Sequence, residues 1–407
     1  MNKQRVVITG LGAITPIGIG TDVFFSNLLK GTNGVAEISH FDASEYRSKL
    51  AAEVKSFQAE DWIDKKSASR MDRFTHFAVA AASLAMDDSG LLSFDENRAG
   101  VIVGSGIGGA KTLEESFTKL NEKGPRGLSP FYVSRMLVNM SASMISIRHG
   151  LKGFIGAPSL ACSTSSNSIG DAFRVLQRGD ADIMFAGGAE ACITPLPFGC
   201  FCATRSMTTN NDPNTASKPF DKDRDGFVMG EGAGIVVLEN LEHARKRGAK
   251  IYAEITGYGN TADAYHLTAP DPESKGMIRA MQNAISDASV LPEEVDYINA
   301  HGTSTVLNDK SESFAISQVF DKKIKVSSNK SMVGHLMAAA GVVEFIAMTL
   351  TVLNNKIPPT INYTTPDPEC TLDYVTNGSE DVTVNVALSN SFGFGGGNAT
   401  LVIKKFI

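Results

Sequence analysis

One thiol and two imidazoles stand out by type and setting. Cys162 lies in SLACSTSSNSIG, His301 in NAHGTST and His335 in SNKSMVGHLMAAAG. Each sits in a turn of small residues off a strand or ahead of a helix, where α/β folds place their chemistry. A cysteine attacks as its thiolate, and a helix N-terminus favours that form. Cys162 precedes a helix expected to begin near Ser165, so the sequence predicts a lowered thiol pKa. The free N–H groups of that helix start can hold an oxyanion. A neighbouring histidine assists a nucleophile, and a second can hold negative charge on a carbonyl oxygen. The loop SNSFGFGGGN, Ser389 to Asn398, can bring a further N–H to the same place, with Phe392 and Phe394 walling off water. Lys330 precedes His335 by one short segment and can set the protonation of the imidazoles. Glu344 falls about two and a half turns beyond His335 in an Ala/Val-rich helix, where a carboxylate needs a partner. These residue types support cysteine-dependent acyl transfer.

Other motifs carry less. GSGIGG, Gly104 to Gly109, fits the dinucleotide fingerprint, but it does not open the first βαβ unit, and Pro125 and Pro130 interrupt the stretch where the second strand should come. A tight turn lining a pocket is the expectation. DKDRDGFVMGEG, Asp221 to Gly232, imitates a calcium loop at Asp221, Asp223, Asp225 and Gly226, yet its twelfth position is Gly232, with Glu231 one place early. A charge-paired turn is expected there. Cys192, Cys200 and Cys202 lack zinc-knuckle spacing. His40, His76, His149, His243 and His266 lack the small-residue setting of the other two, and no metal site is expected.

The elements that must position these residues alternate short β-rich runs with helical patterns. Strands are predicted at Val6–Thr9, Val101–Val103, Ile183–Ala186, Ile235–Leu238, Ala253–Ile255, Tyr297–Asn299, Lys325–Ser327, Val382–Leu388 and Thr400–Ile403. Helices are predicted at Asp22–Lys30, Thr75–Asp88, Ile169–Arg178, Lys275–Ala288, Lys310–Phe320 and Ala338–Asn354. The alternation argues for α/β architecture with sheets covered on both faces. Ile-Thr-Gly-x-Gly recurs at Ile8–Gly12 and Ile255–Gly259, which suggests two duplicated halves, 1–250 and 251–407, packed as one body. With 407 residues, 43% apolar and 20% charged, the chain is neither disordered nor fibrous. A net charge of −6 shows no nucleic-acid footprint. Five scattered cysteines suit a reducing cytoplasm rather than a disulfide framework. The longest uncharged run, between Asp381 and Lys404, is broken by polar residues and glycines, so no membrane span is expected.

Taken together, VVITGLGAITPIG, ACSTSS, NAHGTST, NKSMVGHLMAAAGVVE and NSFGFGGGN resemble the condensing enzymes of fatty-acid synthesis, the β-ketoacyl-[acyl-carrier-protein] synthases. The resemblance runs from the first strand to the closing LVIKK, and GAKIYAEITGYGNTADAYHLTAP is closer to the type II enzymes than to type I. It implies a thiolase fold, five-layered α-β-α-β-α from two duplicated halves, in a homodimer. It implies that Cys162 takes an acyl group from acyl carrier protein. His301 and His335 then promote decarboxylation of the malonyl thioester, supported by Lys330 and Glu344. The N–H groups of Cys162 and Phe394 match the oxyanion hole. Thr303 and Thr305 match the hydroxyls that meet the pantetheine arm; Ile107 and Phe201 match acyl-pocket positions; Phe392 and Phe394 match the closing loop. No cofactor is implied beyond the 4′-phosphopantetheine of the carrier. That carrier is acidic, so Lys66, Arg70, Arg126 and Arg205 are docking candidates, with Lys65 and Arg73 more readily ordinary surface charges. A polyketide-type ketosynthase is the near alternative; a non-catalytic chain-length subunit and a dinucleotide oxidoreductase are more distant ones. Departures from the family pattern fall at Val306, Asn308, Gly127 and Gly397.

Overall fold

The computed structural model describes residues 3–320 and 324–407. In its first half β1 (Val6–Thr15) leads to α1 (Arg73–Ser89), β2 (Ala99–Gly104), β3 (Ile155–Gly156), α2 (Thr164–Arg178), β4 (Ile183–Glu190) and β5 (Gly232–Asn240). The second half repeats the plan. It has β6 (Ala253–Ala262), α3 (Lys275–Asp287), β7 (Tyr297–Asn299), α4 (Val306–Val319), β8 (Lys325–Ser327), α5 (Ala340–Asn354), β9 (Val386–Gly393) and β10 (Gly397–Lys404).

Strand order is β3-β2-β4-β5-β1 in one half and β8-β7-β9-β10-β6 in the other. The hand of every pairing repeats as well. The pairs β2·β3, β2·β4, β7·β8 and β7·β9 are parallel, and β4·β5, β5·β1, β9·β10 and β10·β6 antiparallel. The halves meet edge to edge where β1 pairs with β6, from Val6↔Ile255 to Ile8↔Ala253. α1 covers the outer face of one sheet and α3 that of the other, while α2 and α5 pack together between them. This is the five-layered thiolase fold.

The recurring Ile-Thr-Gly-x-Gly has a steric cause. Register slips between Ile8 and Gly10 in β1 and between Ile255 and Gly257 in β6, so the same bulge stands in both halves. A Cβ on Gly12 would lie 2.0 Å from the Ala81 carbonyl of α1; one on Gly259 would lie 2.0 Å from the Ala280 carbonyl of α3. The glycines let each outer helix press its backbone onto its strand.

Of the central helices, α5 is buried along almost its whole length. The stretch Met337–Asn354 is apolar and long enough by composition to cross a bilayer, but 89% of it is buried inside the fold. The sequence expectation misplaced some boundaries. The strand expected at Val382–Leu388 runs Val386–Gly393, because buried partners satisfy its polar residues: Thr400 donates to Asn390 Oδ1 at 2.8 Å and Ser391 Oγ meets Ser166 Oγ at 2.8 Å. Helices at Ala110–Lys123, Met140–His149 and Pro195–Ala203 were not foreseen.

Candidate active site

Two matching turns aim at the centre of the molecule. A 3₁₀ turn, Ala161–Ser163, precedes α2, and another, Met337–Ala339, precedes α5. Each opens on a left-handed residue, Ala161 at φ +49° and Met337 at φ +52°. Cys162 follows the first bend, and His335 lies just before the second. The duplicated elbow thus brings thiol and imidazole to one point from opposite halves, with Cys162 Sγ 3.0 Å from His335 Nε2. His301 arrives from the loop after β7. The ligating atoms of Cys162, His301 and His335 all lie within 4.8 Å of one another, and all three residues are buried. A thiol and two imidazoles so placed also form a donor set of the kind zinc takes.

Hydrogen bonds choose the imidazole tautomers. The Met337 N–H points at His335 Nδ1 at 3.3 Å, and Lys330 Nζ faces His301 Nδ1 at 3.3 Å. With both Nδ1 atoms accepting, both Nε2 atoms carry hydrogen. Burial first, and the Lys330 charge second, hold both imidazoles well below the usual histidine range. They are therefore neutral donors. Lys330 Nζ also donates to the His301 carbonyl at 2.6 Å and pairs with Glu344 Oε1. Burial raises the Glu344 carboxyl to about 7 against the pull of Lys330.

The thiol departs from expectation. Burial pushes Cys162 up to about 11, against the Lys330 charge and the Phe394 N–H. Desolvation outweighs the helix terminus, and the free enzyme carries a neutral thiol. Phe394 N–H nonetheless faces the sulfur, because Gly393 packs onto the nucleophile turn: a Cβ there would stand 2.9 Å from the Leu160 carbonyl and 3.2 Å from Cys162 N.

A cavity of ≈ 300 Å³ opens from these groups to the surface. Phe201, Thr303, Thr305, Phe392 and Phe394 line it beside Cys162, His301 and His335. Thr303 Oγ1 and Thr305 Oγ1 are 2.9 Å apart. Ile107 is not on its wall; it is half-buried in the apolar cluster behind, with Phe198, Met207 and Met337. Of the basic candidates, Lys65, Lys66, Arg70 and Arg126 are exposed, and Arg205 stands on the cavity rim. Arg70 lies 5.0 Å over the Phe131 ring. Arg73 is tied down by Glu231 at 2.7 Å and packs over Phe77.

Several supports were invisible to pattern reading. Glu312 accepts the N–H groups of His301 and Gly302, each at 2.8 Å, and so shapes the histidine loop. Burial raises its carboxyl to about 7. Asp309, one turn earlier on α4, accepts from the N–H groups of Thr303, Ser304 and Phe220. The i, i+3 pairing of two acids just after NAHGTST was the available signal. Glu190 explains the GSGIGG turn, which folds around its carboxylate through Ser105 Oγ and the N–H groups of Gly106 and Ile107. The calcium-like stretch is a charge-paired turn. Asp221 takes the N–H groups of Thr364 and Thr365, Arg224 the carbonyls of Thr305 and Val306, and Asp225 the N–H of Thr209, so its acids do not converge. At the departures, Val306 is exposed in the first turn of α4, where Thr305 caps the Asn308 N–H at 3.3 Å. A Cβ on Gly397 would meet only Ser163 Oγ, at 3.3 Å, whereas one on Gly127 would stand 2.8 Å from the Lys123 Cβ.

Residues 3–244 match the family described as Beta-ketoacyl synthase, N-terminal domain, and residues 252–364 match Beta-ketoacyl synthase, C-terminal domain. The chain is 52% identical over 410 residues to a 3-oxoacyl-[acyl-carrier-protein] synthase 2 of Staphylococcus aureus (strain COL), covering 99% of each. It is 50% identical over 412 residues to a protein of the same name from a Synechocystis species, covering 100% of this chain and 99% of the other. Among solved structures, the ishigamide ketosynthase/chain length factor superposes with a TM-score of 0.94 at 36% identity, over 100% of both chains. The ketosynthase of a type II PKS acyl-carrier protein complex, bound to the hexaketide, superposes with a TM-score of 0.93 at 34% identity, also over 100% of both.

Proposed function

The chain belongs to the β-ketoacyl synthase family, and on that premise we propose how its residues carry out the family's condensation. It is a 3-oxoacyl-[acyl-carrier-protein] synthase of the second type, an acyltransferase of fatty-acid elongation. The observation that carries the residue roles is the 3.0 Å approach of Cys162 Sγ to His335 Nε2, with His301 Nε2–H completing the set.

Cys162 attacks the acyl thioester of the carrier. The carbonyl oxygen takes up charge between the N–H groups of Cys162 and Phe394, and the carrier thiol leaves with the proton that the cysteine gives up. A malonyl thioester then enters past Thr303 and Thr305. Its carbonyl oxygen sits against the two neutral Nε2–H donors, which stabilise the enolate as CO₂ departs. Neutral donors serve here because they hold charge without quenching the carbanion. The carbanion attacks the acyl-cysteine carbonyl, Cys162 leaves as thiolate and takes up a proton from solvent, and a 3-oxoacyl thioester two carbons longer results. Phe392 and Phe394 keep water from the acyl-enzyme.

The partner is acyl carrier protein, met by Lys66, Arg70, Arg126 and Arg205; the solved ketosynthase complex that superposes on this chain holds such a carrier. A cytoplasmic homodimer without bound cofactor completes the proposal. The exposed apolar side chains Leu113, Phe117, Leu128, Phe131 and Val133 support a partner surface on the first half.

Intact mass spectrometry after incubation with acyl and malonyl carrier thioesters tests the reading. One acyl adduct forms on the wild type and none on Cys162→Ala. An adduct of normal stoichiometry on Cys162→Ala would sink the nucleophile assignment. A polyketide-type ketosynthase is the second reading, with one solved relative at 34% identity, named for a type II PKS, on its side and the relatives at 50–52% identity against it. Repeated condensation on one primer, instead of a single two-carbon extension, would establish it.

A further inference from the structure

A second pocket, of ≈ 190 Å³, lies beside the catalytic cavity. Arg47, Ser48, Arg205, Thr208, Thr209 and Asp225 line it, and Arg205 and Asp225 also line the catalytic cavity, so the two share a wall at the mouth. Its chemistry is that of an anion site. Arg47 and Arg205 are exposed, and neither has an ion-pair or hydrogen-bond partner for its guanidinium among the described residues. Asp225 is the acid in the wall, and its oxygens are already engaged by the hydroxyls of Thr208 and Thr209 and by the Thr209 N–H at 2.9 Å. Ser48 is 1% exposed, and its hydroxyl has no hydrogen-bond partner among the described residues. Native proteins seldom leave such a group unsatisfied.

Arg205 holds its place against backbone preference. It comes after the helix Pro195–Ala203 at φ +59°, the position past a helix end where glycine is the unstrained choice.

We propose that this pocket seats the phosphodiester of the carrier's 4′-phosphopantetheine arm, with Arg47 and Arg205 as positioning residues and Ser48 as a neutral donor. The proposal rests on the carrier-dependent condensing function. The thioester end of the arm must reach Cys162, and Thr303 and Thr305 line its route. The anionic end must therefore lie toward the mouth, where this pocket adjoins. A phosphodiester offers paired acceptor oxygens that match a guanidinium fork.

The test uses the full-length enzyme and two acyl thioesters that differ by one phosphate, acyl-4′-phosphopantetheine and acyl-pantetheine. Acylation of Cys162 is tracked by mass over time and concentration. On the wild type the phosphorylated thioester shows a KM roughly three- to tenfold lower, the scale of one charge-assisted contact near the surface. Arg47→Gln brings the KM ratio toward one, Arg47→Lys restores part of it, and added salt narrows it in the wild type. Equal KM values on the wild type, or a ratio that Arg47→Gln leaves in place, would overturn the proposal alone. Acylation by neither small thioester would also overturn it, since a seated phosphate should let the free arm bind. Loss of acylation from the carrier-bound substrate as well would take down the condensing reading.

Discussion

Replacing Lys330 by methionine separates the two halves of the reaction. The side chain fills similar space but removes the ammonium that touches His301 Nδ1, the His301 carbonyl and Glu344. That ammonium, 3.3 Å from Nδ1, disfavours protonation of His301, adding to the effect of burial. It also fixes the tautomer that aims Nε2–H into the cavity. Without it, His301 is free to carry its hydrogen on Nδ1 or to gain a proton. Decarboxylation of the malonyl thioester should fall roughly 10²–10³-fold, the usual cost of losing one aimed donor at a developing oxyanion. Acyl transfer to Cys162 should fall far less, because its oxyanion rests on the backbone N–H groups of Cys162 and Phe394. The pH profile should change with a definite sign. In the wild type both imidazoles lie well below their usual range and stay neutral near pH 7. In the variant His301 protonates more readily while burial still holds it down, so the fall in CO₂ release on acidification should begin at a higher pH than in the wild type. Glu344, already raised to about 7, neutralises once its partner is gone, so the stability loss should be smaller than the ~3–5 kcal/mol of a stranded buried charge. The assay pairs CO₂ release from malonyl carrier thioester with Cys162 acylation by intact mass, over a pH series. Equal loss of both steps with an unchanged pH profile would refute the argument.

The same geometry gives three further outcomes. Gly12→Ala and Gly259→Ala each drive a Cβ to 2.0 Å from a helix carbonyl; each should cost about 1–3 kcal/mol or more by urea unfolding, and a neutral result for either would mean that the outer helices do not constrain the echo. Glu312 has its folded pKa raised from 4.5 to about 7, so the stability it contributes is present below about pH 4.5 and lost as pH rises through about 7. Glu312→Gln should flatten the slope of stability against pH in that window, leaving the part due to Glu344 and the other buried acids, Glu190 and Asp309 among them, and an unaltered slope would show that Glu312 does not titrate there. Although a thiol and two imidazoles meet here, the neutral thiol and the hydrogen on both Nε2 atoms oppose a metal, so neither added zinc nor chelator should change acylation by the wild type; chelator-dependent loss of acylation would point to a resident metal instead.

Much of the site was legible along the chain because its groups occur in short segments with local causes. Small residues before a helix mark a turn that exposes a side chain, and glycines mark places where backbone must approach. That logic located Cys162, His301, His335 and the loop of Phe394. It also located the echoed Ile-Thr-Gly-x-Gly, although packing against α1 and α3 was needed to explain it. The two mimics were set aside, GSGIGG on its context along the chain and Asp221–Gly232 on its twelfth position. The supporting roles of Glu190 and Glu312 escaped because each acts largely on backbone N–H groups, which residue type alone does not announce; the i, i+3 acids after NAHGTST were the one hint.

The sequence by itself determined the alternating elements, the duplicated halves and the residue types that can perform acyl transfer, since these arise from local periodicity and from side-chain chemistry. Only the tertiary structure decided how those groups behave. It set Cys162 3.0 Å from His335 across the interface of the halves, chose the imidazole tautomers through Met337 N–H and Lys330, and left the thiol neutral where the helix start alone had predicted a thiolate. The physical reason is that desolvation and pairwise electrostatics depend on everything packed around a group, and most of what surrounds this site comes from residues far away along the chain.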